Sequence, residues 1–278
     1  MLKQNLIFNL DDTLIECNKY FNQVNERFAA AMGEWFPGVA PDKVKAKQVE
    51  LDVAAIGNNG LTVDHLSQSF TGAYRFFCAA VGKMPEKAHI GLLTELGYSV
   101  FTIPVEPLPH MYETLERLKE AGHELYLHTG GEEGNQRRKV AQLELAAYFG
   151  NRVFISRHKD VKALEKIMRE MRFDPSVTWM IGNSLRTDIL PGLEQGIHVI
   201  YIPAQSEWHY NMVDIHVQPK GAFLTLTGLD QIAGAIEKYV LEHMEEDLDG
   251  MRLPPDAGAS GNDSSDRLAP GTPANSVF

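Results

Sequence analysis

Polar residues follow directly after the first apolar run of the sequence, and they are of types that bind ligands. Residues 6–8 are Leu-Ile-Phe, which is typical of a strand buried in a parallel sheet, and Asn9, Asp11, Asp12 and Thr13 follow. In open α/β sheets, ligands bind at the carboxyl ends of strands, so these side chains are candidates for ligand contact. The alternative is that Asp12 or Thr13 only caps a following helix.

Three later apolar runs also end in groups suited to phosphate or a metal ion. Thr129 and Gly130 offer a hydroxyl and a flexible backbone amide that can hold a phosphate. Lys159 could neutralise a phosphate or pair with a carboxylate. Asn183 and Asp188 supply the hard oxygen ligands that Mg²⁺ prefers. Each group has a plainer alternative, as an ordinary turn, a solvated basic turn or a helix cap, but together they indicate a phosphate and Mg²⁺ site.

The elements that carry these groups can be read from the alternation of the sequence. Four apolar runs after the first have the length of strands: His123–His128, Arg152–Ser156, Val177–Gly182 and Ile197–Ile202. Amphipathic stretches near residues 134–147, 160–172 and 188–195 separate them. Strands that alternate with helices predict an α/β fold with a parallel sheet of at least five strands.

The remaining segments differ from this pattern. Residues 16–104 have apolar residues at helical spacing between Gly- and Pro-containing breaks, which predicts an all-helical insertion after the first strand, here called the cap. The core is then expected to consist of residues 1–15 and 105–245. Residues 246–278 are rich in Pro, Gly, Ala, Ser, Asp and Asn, and we expect this tail to be disordered.

Composition narrows the classes of partner. The formal net charge of −11 disfavours nucleic acid or an anionic membrane as the main partner. Two cysteines provide no disulfide framework, which favours a reducing cytoplasm. No stretch approaches the roughly 20 apolar residues that a membrane span requires.

The order of these motifs resembles the haloacid dehalogenase (HAD) superfamily, and specifically its phosphatase branch. Residues 8–14, Phe-Asn-Leu-Asp-Asp-Thr-Leu, resemble the first signature of that family, Asp-x-Asp-x-Thr. Thr129 stands where the second signature has Ser or Thr, and Lys159 fits the third, with Lys162 as the alternative. Residues 182–188 resemble the fourth signature. The resemblance spans residues 5 to roughly 205 and implies a Rossmann-like, doubly wound sheet with an inserted cap.

The resemblance also implies a mechanism. Residue 9 would attack phosphorus and form an aspartyl-phosphate, while Asp11 would act as general acid and base. Mg²⁺ would be held by residue 9, by Asp11 through its backbone carbonyl, and by Asp188, with Asn183 as a further oxygen ligand.

Further residues complete the implied site. Thr129, Gly130 and Lys159 would hold the phosphoryl oxygens. Gln136 and Lys139, on the next helix, match a recurrent pattern in one group of these hydrolases.

The sequence departs from the family pattern at two positions. Asn183 stands where aspartate is more common, and its amide oxygen can still serve the metal site. Asn9 stands at the nucleophile position, and an amide oxygen without formal charge is a poor nucleophile. We therefore expect the chain to be nearly inactive in phosphoryl transfer. Because Asp11, Thr129 and the other signature residues are intact, we favour an inactivated enzyme over a natural, non-catalytic protein that only binds a phosphorylated ligand.

The position of the cap bears on the substrate. It lies between the first two signatures, as in family members whose helical cap closes over small phosphorylated metabolites and excludes water. A small phosphorylated metabolite is therefore the expected partner, while its identity and the oligomeric state of the protein stay open. Trp35, Phe36 and Phe77 of the cap are interpreted as packing residues, and Trp208 after the fifth strand is left unassigned.

Overall fold

The chain folds around a six-stranded parallel sheet with the strand order β3-β2-β1-β4-β5-β6. This is a computed structural model, and it describes the backbone of residues 2–250 and the side chains of residues 2–243. The strands are β1 (Asn5–Phe8), β2 (Glu124–Gly130), β3 (Val153–Ser156), β4 (Thr178–Gly182), β5 (His198–Tyr201) and β6 (Phe223–Thr225).

Ten α-helices accompany the sheet in the described part of the chain. They are α1 (Asn18–Trp35), α2 (Pro41–Asn59), α3 (His65–Ala80), α4 (Lys87–Ser99), α5 (Met111–Glu120), α6 (Glu133–Gln142), α7 (Ala146–Phe149), α8 (Val161–Met171), α9 (Leu190–Glu194) and α10 (Ile232–Gly250). A π-helical turn, Leu185–Ile189, precedes α9.

The first strand lies at the centre of the sheet, between β2 and β4. Leu6, Ile7 and Phe8 have no solvent exposure. Leu6 and Phe8 face one apolar cluster, which includes residues of α5, α7 and α10, and Ile7 faces another, which includes residues of α8 and α9. Both faces of the sheet are thus covered by helices, and the predicted Rossmann-like, doubly wound fold is confirmed.

The four helices α1–α4 enclose an apolar cluster of their own, centred on the parallel rings of Phe28 and Phe70, whose centroids are 4.3 Å apart. The apolar faces of these helices explain the helical periodicity of the cap sequence. Phe36 and Phe77 belong to this cluster and Trp35 packs against it, as their interpretation as packing residues requires. The predicted boundaries of cap and core, at 15/16 and 104/105, stay predictions.

Three features differ from the sequence-based expectations or extend beyond them. Strand β6 was not predicted, because its three residues form no buried apolar run and Phe223 is largely exposed. The helical stretch predicted near residues 134–147 is divided into α6 and α7, since Glu144 has a positive φ of 52°. Helix α10 continues to Gly250, and the rest of the tail predicted to be disordered lies outside the described residues.

Among the described residues, no helix combines the length and the apolar character that crossing a bilayer would require.

Candidate active site

The central strand places Asn9 at the edge of the sheet where the predicted site residues meet. The backbone N–H of Asn9 donates to the carbonyl of Ile181, at 2.8 Å, and so fixes this residue relative to β4. The chain then turns sharply, with Asp12 in the left-handed region at a φ of 57°. The turn buries Thr13 completely and keeps Asp11 beside the site.

The side chain of Asn9 is the centre of a hydrogen-bond network. Its Oδ1 accepts from Nζ of Lys159 at 2.7 Å. Its Nδ2 donates to the backbone carbonyl of Asp11 at 2.7 Å, to Oδ1 of Asn183 at 2.8 Å and to Oγ1 of Thr13 at 3.1 Å. Because a backbone carbonyl can only accept, the amide nitrogen must face Asp11, and the orientation of Asn9 is determined by its surroundings.

Lys159 and Asp188 form an ion pair inside the protein, with side-chain exposures of 2% and 0%. Asp188 also accepts a hydrogen bond from the backbone N–H of Ser184, at 2.9 Å. Burial lowers the pKa of Lys159, and the neighbouring carboxylate opposes that shift. Gly182 is required here, because a Cβ atom at this position would run into the carboxylate of Asp188.

Asp11 is held on the other side of Asn9 by two side chains of α6. Lys139 donates from Nζ at 2.6 Å, and Gln136 donates from Nε2 at 2.8 Å. Burial by itself lowers the pKa of Lys139, but the neighbouring acidic groups, Asp11 foremost, together outweigh burial and raise the pKa. The spacing of Gln136 and Lys139 thus places both polar groups on the face of α6 that meets Asp11.

The predicted phosphate-binding residues occupy different depths. Gly130 and Lys159 line an open cavity that Asn9 and Asp11 also line. Thr129 is fully buried behind this cavity, and its hydroxyl accepts a hydrogen bond from Gln136.

The metal-site candidates and the alternative lysine are also placed by the structure. Asn183 lines the cavity, whereas Asp188 is fully buried behind it. Lys162, the alternative to Lys159, is exposed on α8. The structure therefore brings all of the predicted site residues to one edge of the sheet, with Thr129 and Asp188 in a supporting layer.

A turn of the cap closes over the cavity. The backbone N–H of Leu61, between α2 and α3, donates to the carbonyl of Arg157 at 2.7 Å. Gly130 makes room for this turn, because a Cβ there would lie 2.6 Å from Cδ1 of Leu61. No motif in the sequence points to Leu61, since its role depends on contact with residues nearly a hundred positions away.

Gly60 provides a direct test of this closure. Its φ is 77°, and a Cβ would lie within 2.8–2.9 Å of the backbone and Cβ of Arg157. We expect Gly60→Ala to weaken the docking of the turn, since strain and collision together cost on the order of 1–3 kcal/mol. Hydrogen exchange at the amide of Leu61 should accelerate about 5- to 150-fold, the factor that this cost corresponds to.

Gly57→Ala is the matched control for this experiment, because nothing lies within 4 Å of its added Cβ. Unchanged protection of Leu61 in Gly60→Ala would show that this turn docks without needing glycine.

Asp12 connects the site to the first helix of the cap. Its Oδ1 accepts from the backbone N–H groups of Asn18, at 2.7 Å, and Cys17, at 3.0 Å. Burial raises the pKa of Asp12 to about 7, and these hydrogen bonds oppose the shift only in part. Asp12 therefore caps the entry to α1, a role that the helix-cap alternative had anticipated.

This raised pKa predicts a pH dependence of stability. Because the folded state holds the proton more tightly than the unfolded state, Asp12 contributes stability at low pH that is lost as pH rises from about 4 to about 7. The slope is at most about 1.4 kcal/mol per pH unit. Asp12→Asn keeps an oxygen acceptor and should flatten this fall in urea-unfolding measurements. Asp42→Asn, at an exposed position of α2, should leave it unchanged, and an equal slope in Asp12→Asn would contradict the assignment.

The parallel sheet, the helices inserted after the first strand and the polar residues at the strand ends define a Rossmann-like α/β protein with an inserted cap. A family model described as haloacid dehalogenase-like hydrolase matches residues 4–196, and the chain belongs to this family. The resemblance seen in the sequence is thus confirmed at the level of the family.

Known proteins add two kinds of similarity. Over 111 residues the chain is 36% identical to pyrimidine 5′-nucleotidase PynA of Streptococcus pneumoniae. The matched stretch covers 37% of this chain and 46% of that protein. The match thus spans less than half of the relative's length.

Solved structures share the fold at low identity. A haloacid dehalogenase-like hydrolase from Xanthomonas campestris has a TM-score of 0.68 at 20% identity, covering 87% of this chain and 98% of its own. The HAD hydrolase YfnB from Bacillus subtilis, bound to magnesium, has a TM-score of 0.56 at 15% identity, covering 84% and 98%.

Proposed function

We propose that the protein is a Mg²⁺-dependent phosphatase of small phosphorylated metabolites whose nucleophile position is occupied by Asn9. The observation that carries this proposal is the position of the Asn9 side chain. It lies 2.7 Å from the cation of Lys159, and the following turn places the carboxylate of Asp11 beside the same cavity. A carboxylate at position 9 would attack phosphorus and form an aspartyl-phosphate, with Asp11 transferring the proton to and from the leaving oxygen and water.

The donor set at this edge of the sheet fits Mg²⁺ in its chemistry. Oxygen atoms come from Asp188, Asn183, the backbone carbonyl of Asp11 and residue 9, and hard oxygen ligands are those that Mg²⁺ prefers. When bound, the ion would offset the charge repulsion between nucleophile and phosphate. To serve as a ligand, the amide of Asn9 would have to rotate so that Oδ1 replaces Nδ2 on the side of Asp11 and Asn183. This rotation would break the present hydrogen bonds of Nδ2, so we expect the chain to bind Mg²⁺ weakly.

The metal proposal predicts a dependence on Asp188. Millimolar Mg²⁺ should raise the melting temperature of the chain slightly and that of Asn9→Asp more, because ligand binding to the folded state stabilises it. Asp188→Asn should abolish the Mg²⁺-dependent increase in both backgrounds. Glu133→Gln, at an exposed carboxylate of α6, is the control. An undiminished Mg²⁺ response in Asp188→Asn would place the ion elsewhere.

The intermediate provides the test of the phosphatase proposal itself. Rapid acid quenching of Asn9→Asp with a phosphate monoester should trap a phosphoryl group on residue 9, detectable by intact mass and peptide mapping. Absence of this phosphoprotein, together with absence of turnover, would contradict the proposal.

A natural, non-catalytic binding protein is the second candidate. It is favoured by the complete use of the Asn9 amide, whose nitrogen has three acceptors and whose oxygen has Lys159 as a donor. In that case the chain binds a phosphorylated ligand, and Asn9→Asp brings no turnover.

The proposed setting is the cytoplasm, and the proposed partner is a small phosphate ester rather than nucleic acid or membrane. The two free cysteines, Cys17 and Cys78, support a reducing compartment. The net charge of −11 disfavours nucleic acid and anionic membranes as partners.

A further inference from the structure

The wall of the cavity formed by the cap and by the loop after β5 is rich in rings. Phe21, His65, Phe101 and Trp208 line the same cavity as Asn9 and Lys159. His65 lies nearly parallel to Phe21, with an interplanar angle of 6° and a centroid distance of 6.2 Å, and Trp208 lies 6.1 Å from it at 29°. The cavity therefore has a polar end on the sheet, which is the proposed phosphate end, and an aromatic end formed by the cap and the loop after β5.

A buried carboxylate fixes the imidazole in this wall. Nδ1 of His65, at the start of α3, lies 2.6 Å from Oδ1 of Asp52 on α2, and the residues are only 5% and 4% exposed. Because a carboxylate can only accept, Nδ1 carries the shared proton. In the neutral ring, Nε2 is then a hydrogen-bond acceptor, and no group among the described residues is bonded to it.

Packing alone does not require a buried pair of His65 and Asp52. A buried carboxylate that orients one imidazole costs desolvation, and an apolar pair would fill the same space without that cost. What Asp52 adds is a single fixed orientation of the ring, which leaves Nε2 as the nitrogen available to a ligand in the cavity that His65 lines beside Phe21 and Trp208. Such a surface is complementary to a planar heterocycle with an N–H or amino donor at its edge.

We infer that the cavity takes phosphate monoesters whose alcohol carries a nucleobase-like ring, with the ring against Phe21 and Trp208 and its donor on Nε2 of His65. His65 is then a specificity-determining residue, and Asp52 is the positioning residue behind it. This inference rests on the proposed function, since the phosphate end of the ligand must lie at Lys159. A sugar phosphate without a nucleobase-like ring would use the phosphate end equally well and leave the aromatic wall in contact with water.

The test uses the chain as it exists, with Asn9, and measures binding by calorimetry in the presence of Mg²⁺. The probes are uridine 5′-monophosphate, its N3-methyl derivative and ribose 5-phosphate. The N3-methyl derivative lacks the N–H of the base, and ribose 5-phosphate lacks the base altogether. His65→Phe keeps a flat ring and removes the acceptor. We expect His65→Phe to lower the affinity for uridine monophosphate about five- to tenfold, which corresponds to the loss of one hydrogen bond. The affinities for the two other probes should not change.

Two further variants separate recognition from folding. Asp52→Asn should act in the same direction as His65→Phe but less strongly, because the imidazole is retained without its fixed orientation. His89→Phe is the matched control, since this cap histidine stacks on Trp35 and does not line the cavity. Unchanged binding of ribose 5-phosphate in each variant also shows that the phosphate end is intact.

The outcomes distinguish this inference from the proposed function. Equal affinity for uridine monophosphate and ribose 5-phosphate, or an equal loss for both in His65→Phe, would overturn the inference. If Asn9→Asp still hydrolyses these esters, the phosphatase proposal stands without it. If no probe binds and Asn9→Asp hydrolyses none of them, both are wrong.

Discussion

Under the proposed function, Asn9→Asp should raise the activity of the chain from the low level that we expect with Asn9 to that of a Mg²⁺-dependent phosphatase. Loss of a nucleophile commonly costs several powers of ten in rate, so we expect its restoration to raise turnover by on the order of 10⁴-fold or more. The new carboxylate would place an oxygen against the carbonyl of Asp11 and Oδ1 of Asn183, which now accept from the Asn9 amide. A cation must offset that repulsion, which is why turnover should require Mg²⁺.

The controls for this rescue follow from the same strand. Asn5→Asp makes the identical chemical change at the opposite end of β1 and should give no turnover. Asp11→Asn in the Asn9→Asp background should reduce turnover about 10²- to 10⁴-fold by removing the general acid and base. Intact mass must be verified first, because deamidation of Asn9 would create an active fraction. If the verified variant turns over no ester in a broad panel, the protein is not a phosphatase.

Removal of Lys159 should cause a large loss of stability. Lys159→Met leaves the carboxylate of Asp188 buried at 0% exposure without its cation, and it also removes the donor to Asn9. A buried ion pair that loses one partner typically costs about 3–5 kcal/mol. We expect a loss of this size in the free energy of unfolding, measured by urea titration with EDTA present.

Two comparisons make this result specific to the pair. Lys159→Met combined with Asp188→Asn should recover much of the loss, because no uncompensated charge then remains. Lys162→Met, three residues away and exposed, should change stability by less than about 0.5 kcal/mol. Equal losses in the single and double variants would mean that Lys159 stabilises the fold by packing rather than by charge.

The parts that sequence analysis predicted share a local signal. The first strand and the four apolar runs that follow all correspond to strands, since buried parallel strands require uninterrupted apolar residues. The candidate site residues at their ends lie close together because a parallel sheet brings these ends to one edge. Asn9, Asp11 and Lys159 are thus close in space although Lys159 is 150 positions from Asn9.

The parts that were missed depend on contacts with no local signature. In the sequence, Asp52 is one of several polar residues in a predicted helix. Its contact with His65 arises only because α3 packs beside α2. Leu61 reads as a turn residue. Strand β6 has a partly exposed, three-residue sequence that no periodicity distinguishes from a loop. In each case the tertiary neighbour, and not the residue type, determines the outcome.

The central position of β1 also has a consequence for how the chain is made. Asn5 pairs with Glu124 on one side and with Thr178 on the other, so β1 has no partner in this sheet until much of the chain that follows it exists. At about 5–20 residues per second, the ribosome needs roughly 10–35 s to reach the second partner. Helices α1–α4, which enclose an apolar cluster of their own, can form during that interval. The nascent cap should therefore fold before the sheet that gives the candidate active site its geometry.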